Sequence, residues 1–272
     1  ERTARRFGQD VCFVDISEHL LELEHRMDVD TFARQFSRGA LFRLFIPDLV
    51  AAEKTIYLDC DVAVNLDIAE FWNIDIADVS LAVIPDTLFN RNRSAHEKFR
   101  SRIMQYDSRL YFNSGVLLMN LARIRRNYDF LKELDKFARR YGYCAEMADQ
   151  DFLNMLFRND RKIVSEKFDR IVEHHNIDDA ILHLCGLYKP FTLHLCEPRD
   201  YFYWEILNRS EWRDQLVDAM LEMYKNSVHV HTSSCWRCAL KQLAADIFHF
   251  PRKCYNIVKP CVLELYHRIM DA

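Results

Sequence analysis

Short apolar runs alternate along this chain with stretches whose apolar residues recur every three or four positions, the pattern of an α/β protein. Val11-Cys-Phe-Val14 predicts a first strand, and the spacing from Leu20 to Met27 and from Phe32 to Phe36 predicts helices after it. Thr55-Ile-Tyr-Leu58 predicts a strand that ends among acids. Val79 to Ile84 predicts another, stopped by Pro85-Asp86. Residues 86–109 are polar and charged without a clear period, a candidate lid or acceptor loop. Phe112 to Leu121 is apolar enough for a buried strand. It gives way to a helix with Ile124, Tyr128, Leu131, Leu134 and Phe137 on one face, which Gly142 would end. Met147 to Phe157 predicts a further helix and Ile181 to Leu184 a short strand. Beyond Pro198 the pattern turns helical, interrupted by Pro251 and Pro260. The expected layout is one α/β domain over residues 1–204 and a helical extension over 205–272.

Composition narrows the chemistry. Five glycines and six prolines in 272 residues are few, and the glycines lie too far apart for a GxGxxG turn or a GxxxxGK[ST] loop. A nucleotide would therefore have to be met by a metal, a cation or a helix end. The net charge of −4 argues against nucleic-acid binding. From Lys225 onward seven Lys/Arg face three Asp/Glu, whereas the first 224 residues hold 30 against 38. An acidic body with a basic tail points to an anionic surface as partner. No apolar run is long enough for a transmembrane helix, and no signal peptide is visible. Nine scattered cysteines read as reduced thiols of a cytoplasmic protein.

Five local features carry chemistry. Asp59 and Asp61 stand two apart after an apolar strand, where ligands of open α/β sheets bind and where two oxygens can meet one hard cation. A solvated strand end accounts for such a pair equally well. His183 precedes Gly186 and Lys189, a neutral imidazole for a metal beside a glycine and a lysine for a phosphate; a satisfied core histidine is the plain alternative. Asn113-Ser114-Gly115 breaks an apolar strand, suited to a polyol or simply a turn. Asp149-Gln150-Asp151 opens a helix, where acids also serve as caps. Arg43, inside an apolar helical stretch, is either a snorkelling surface residue or an anion contact.

In their order, Arg43-Leu-Phe-Ile-Pro, Tyr57-Leu-Asp-Cys-Asp61, Phe112-Asn-Ser-Gly115, Asp149-Gln-Asp151 and His183-x-x-Gly-x-x-Lys-Pro190 resemble glycosyltransferase family 8 over residues 10–205. The resemblance implies a GT-A type, Rossmann-like mixed sheet flanked by helices, and retaining transfer of glucose or galactose from a uridine diphosphate sugar. It implies Asp59, Asp61 and His183 as ligands of Mn²⁺, with Mg²⁺ as substitute, and Gly186 and Lys189 against the diphosphate. Arg43, Asn113 and Asp149 would contact the donor sugar, with Ser114 and Asp151 also among the binding residues. Gln150 would lie beneath the anomeric carbon and share the catalytic position with Asp149. The acceptor would be a saccharide or glycolipid, such as a lipopolysaccharide, at the inner face of the membrane.

Two departures stand out. The family's opening strand, with its acidic grip on base and ribose, has no counterpart here, and Phe191 stands where tryptophan is common. Two other readings compete. A glycan-binding relic would bind sugar without nucleotide. A phosphatase of the haloacid dehalogenase type would need Thr or Val where Ala63 stands. Cys235-x-x-Cys238 could bind zinc, but Cys254 and Cys261 lack the matching spacing. The aromatic and basic tail, including Trp236, Phe250, Arg252 and Lys253, suits a peripheral membrane contact.

Overall fold

The structure is a computed structural model, and it describes residues 2–32, 38–86, 107–142, 145, 147–171, 177–185, 198–215 and 218. The chain divides into two compact units, Glu1–Val172 with Asp178–His183, and Glu173–Ile177 with Leu184–Ala272. Among its described residues the first unit holds seven strands: β1 (Lys54–Leu58), β2 (Val62–Asn65), β3 (Leu81–Val83), β4 (Val116–Asn120), β5 (Arg161–Ile163), β6 (Arg170–Ile171) and β7 (Ala180–His183). Its described α-helices are α1 (Arg2–Arg6), α2 (Ser17–Arg26), α3 (Val29–Phe32), α4 (Ile46–Leu49), α5 (Ile68–Trp72), α6 (Leu121–Asn127), α7 (Phe130–Tyr141) and α8 (Ala148–Leu156). A 3₁₀ segment spans Arg38–Phe45. In the second unit α9 (Pro198–Asn208) is described.

The strands form two mixed sheets. One has the order β1-β4-β3-β5, antiparallel except for the parallel pair β3 and β5. The other has the order β2-β7-β6, with β2 antiparallel and β6 parallel to β7. The chain leaves the first sheet at Leu58 and enters the second at Val62, so the turn Asp59–Asp61 lies where one sheet hands over to the other. His183 ends β7 opposite Val62. The register alone therefore brings His183 beside that turn.

The first sheet has a core on each face, and successive residues of a strand point to opposite faces. Leu117 and Met119 of β4 join Leu81 and Val83 in a cluster with Ile124, Leu134, Phe137 and Phe152 of the helices. Val116 and Leu118 join Ala82, Ile84, Phe71, Phe168 and Ile181 in the other. A strand buried on both faces must read as a continuous apolar run, which is why Val116–Met119 shows no alternation. The structure makes two helices of the single one expected past Leu121. Tyr128 is extended and Asp129 accepts a bond from the Lys132 N–H, so a new helix begins there. At Val11–Val14 there is no strand, and Phe13 is 76% exposed. An apolar run becomes a strand only against a partner edge and a face to cover, and that segment has neither among the described residues.

β4, like its neighbour β3, contributes to both cores. Leu118→Ala should cost roughly 2–5 kcal/mol of stability from lost burial and the cavity left behind, read by urea unfolding. A cost under about 1 kcal/mol would show that this strand is not central.

Candidate active site

Three ligand atoms converge at the junction of the sheets. One each from Asp59, Asp61 and His183 lie within 4.8 Å of one another. The His183 Nε2 is 3.4 Å from Asp61 Oδ1 and 3.9 Å from Asp59 Oδ2. The imidazole is buried, while the carboxylates keep about a quarter of their surface in solvent. Two hard oxygens and one imidazole nitrogen, open on one side, fit a divalent cation such as Mn²⁺ or Mg²⁺. Gly115 makes the convergence sterically possible. A Cβ there would fall 2.2 Å from His183 Cε1, 2.9 Å from its Nε2 and 2.8 Å from Asp59 Oδ2. The Gly115 carbonyl accepts from the Asp59 N–H at 2.8 Å, continuing the ladder of β1 and β4 to the site.

Burial disfavours a charged His183, yet Asp169 and then Asp61 overcome it and push its pKa up to about 10. The carboxylates gathered for a cation thus attract a proton in its stead.

Beside this trio lies a second polar group, and Arg43 connects the two. The 3₁₀ turn Arg38–Phe45 buries Arg43, which is 8% exposed. Its guanidinium pairs with Asp59 at 2.9 Å and Asp149 at 3.2 Å, and donates to the Ser114 hydroxyl at 2.6 Å. It lies over the Tyr57 ring, 5.0 Å from the centroid. Burial works against its charge, but Asp149 and Asp59 hold its pKa above the ordinary value. Snorkelling is thereby excluded. The Tyr57 hydroxyl donates to Asp59, and burial raises its pKa further, so it remains a donor.

Helix α8 supplies the other wall. Asp149 and Gln150 are buried in its first turn. Burial raises the Asp149 pKa to about 6 against the pull of Arg43. The Ser114 backbone N–H donates to Gln150 Oε1 at 3.0 Å, and the Ser114 hydroxyl lies 3.3 Å from both Gln150 and Asp149. Gln150 Nε2 donates to Asp86 Oδ2 at 3.2 Å. A backbone N–H on one side and a carboxylate on the other dictate which way this amide faces. Asn113 Nδ2 donates to the same Asp86, and its oxygen accepts from the Gly115 N–H at 2.7 Å.

Most of the expected residues are therefore in one place: Asp59, Asp61, His183, Arg43, Asn113, Ser114, Asp149 and Gln150. Asp151 is not with them. It accepts from the Tyr111 hydroxyl at 2.7 Å and the Met147 N–H at 3.0 Å, fastening the start of α8. Gly186 and Lys189 lie outside the described residues, as do Phe191, Cys235 and Cys238 and residues 87–106 of the candidate lid. Three residues escaped the sequence reading. Asp86 was legible only as a strand stop, although, like Asp59, it follows the carboxyl end of a strand. Asn154 accepts from the Phe112 N–H and donates to the Phe112 and Gln150 carbonyls, clamping α8 to the Asn-Ser-Gly segment. Asp169, bonded to His183 at 2.9 Å, had no local signature.

Gly115→Ala should lower divalent-cation affinity by tenfold or more while leaving a folded protein, because the new methyl displaces the imidazole; unchanged affinity by calorimetry would contradict the close approach. Asp149 gives a pH signature in the absence of divalent cations. Its folded pKa of about 6 stands above the ordinary 3.8, so the folded state holds a proton that the unfolded state has lost. Stability should decline as pH rises from about 4 to about 6. Asp149→Asn should flatten that part of the profile, and a variant with the same slope as the parent would assign it elsewhere.

The comparisons identify the family and the fold. The sequence profile of glycosyl transferase family 8 matches residues 6–192. A putative glycosyltransferase of Haemophilus influenzae is 28% identical over 56% of this chain and 44% of its own length. The lipopolysaccharide 1,2-glucosyltransferase of Escherichia coli is 26% identical over 64% of this chain and 55% of its own. The chain thus spans about half the length of these relatives. Among solved structures, the galactosyltransferase LgtC in complex with donor and acceptor sugar analogues superposes with a TM-score of 0.58 at 25% identity, covering 69% of this chain and 77% of that one. The mixed sheets flanked by helices are the GT-A type fold of such enzymes. The dehalogenase-type reading falls with this match. The chain belongs to glycosyl transferase family 8.

Proposed function

We propose that the chain transfers glucose or galactose, with retention of configuration, from a uridine diphosphate sugar to a saccharide acceptor, using Mn²⁺ or, in its place, Mg²⁺. The observation that carries this is the pairing of a three-ligand cation site with a buried polar group built on Gln150, joined through Arg43. Asp59, Asp61 and His183 would hold the cation, which when bound neutralises the charge that develops on a departing diphosphate.

The chain's own residues then act on the sugar. Arg43, Asn113, Ser114 and Asp149 form a wall of donors and acceptors for its hydroxyls. Gln150 lies beneath the anomeric carbon. The bond from that carbon to the diphosphate oxygen breaks as a bond to the acceptor oxygen forms on the same face, and the acceptor hydroxyl's proton passes to the departing diphosphate oxygen. Gln150 Oε1 already accepts from Ser114, which leaves it a weak nucleophile and suits it to stabilising positive charge on the sugar ring. Asp151 serves by holding α8 in register. Gly186 and Lys189 would meet the diphosphate.

We assign the catalytic chemistry to residues 1–204. The acceptor in this reading is a lipopolysaccharide or other cell-surface glycan at the inner face of the membrane. The basic residues beyond Lys225 support a peripheral contact there. Among the described residues no helix is long and apolar enough to cross a membrane.

Calorimetric titration with uridine diphosphate tests the donor site. Binding should require Mn²⁺ and weaken about 10–100-fold in Asp61→Ala. Binding that ignores both the ion and the substitution would contradict this reading. So would sugar binding without any nucleotide binding, which is the behaviour of a relic.

A further inference from the structure

We infer that Asp169 is a positioning residue for the cation site, fixing the His183 tautomer so that Nε2 presents its lone pair toward Asp59 and Asp61. The inference rests on the cation reading above.

A neutral imidazole has one N–H and one lone pair, and the bond made by one nitrogen decides what the other offers. Asp169 Oδ1 lies 2.9 Å from His183 Nδ1, and the two side chains are 0% and 3% exposed. A carboxylate only accepts, so Nδ1 carries the proton. Nε2 is then the nitrogen that faces the two aspartates, 3.4 and 3.9 Å away, where a bound cation would take the place of the proton they attract.

The backbone is arranged for this contact. Ser165 caps the short turn Glu166–Phe168, and Phe168 stacks on Phe71 with centroids 4.9 Å apart. Asp169 follows that anchored turn and directly precedes β6, whose Ile171 stands in register with His183. The position is thus fixed by packing on one side and by the strand pair on the other.

The second carboxylate oxygen, Oδ2, is buried with no hydrogen-bond partner among the described residues. A buried acid with half of its accepting capacity unused is a cost that simple packing does not require. An apolar residue would fill the same space without it. Among the described residues the one side-chain hydrogen bond that Asp169 makes goes to the ring of a cation ligand.

Mn²⁺ titration followed by electron paramagnetic resonance tests the inference on the full chain, without substrate. Asp169→Ala should weaken Mn²⁺ binding about 10–100-fold. Asp169→Asn, whose amide oxygen can still accept from Nδ1–H, should recover most of the affinity. Should the alanine variant fail to fold, Asp169→Val replaces it, filling more of the space, with circular dichroism as the check. Binding by the alanine or valine variant within about twofold of the parent overturns the inference while leaving the cation site standing. An asparagine variant as weak as the alanine one overturns it too, since acceptance at Nδ1 would then not be the cause. A parent protein that binds no Mn²⁺ overturns the cation reading itself, and this inference with it.

Discussion

Everything at this site depends on a place where a side chain is missing. Gly115 begins the approach to β4, and the His183 ring occupies the space its Cβ would take. That contact lets the end of one sheet come against the end of the other, closely enough for three ligand atoms to meet within 4.8 Å. The rest of the architecture serves the contact. β4 is held between two cores, β7 is held in register with β2, and the turn Asp59–Asp61 spans the step between the sheets. Glycine is scarce in this chain, and here its use is for close packing, with no unusual backbone angle involved.

Close packing of carboxylates creates an electrostatic problem that the chain solves in two ways. Asp59 and Asp149 share the buried guanidinium of Arg43, which keeps both near the site without placing them against each other. Asp86 has neutral amide donors, from Gln150 and Asn113. A network of this kind is tolerable in a low-dielectric interior only when its members have partners. It also fixes orientation, and a rigid polar wall is what differential stabilisation of a charged sugar ring would need.

The strongest elements were legible in the sequence because their signals are local. A short apolar strand ending in Asp59 and Asp61, a continuous apolar run at Val116–Met119, and acids in the first turn of α8 all appear as expected. Motif order gathered most of the polar residues into one site. What was not legible depends on partners far along the chain. β2, β5 and β6 are too short for a period, and they exist because β7 and β3 offer them edges. Val11–Val14 has the composition of a strand but no edge among the described residues. Asp169 is fourteen positions before His183, and only the parallel pairing of β6 with β7 makes it a neighbour. Asp151 carried the same local signal as Asp149. Two positions along the helix turned it onto Tyr111.

The central claim is that Asp59, Asp61 and His183 act together as one cation site. It is tested most directly by diffraction from crystals grown with Mn²⁺ and a uridine diphosphate sugar, using the anomalous signal of the metal to locate it. The account predicts one strong peak within coordination distance of all three side chains, facing Gly115. A peak elsewhere, or one that does not involve His183, would contradict it.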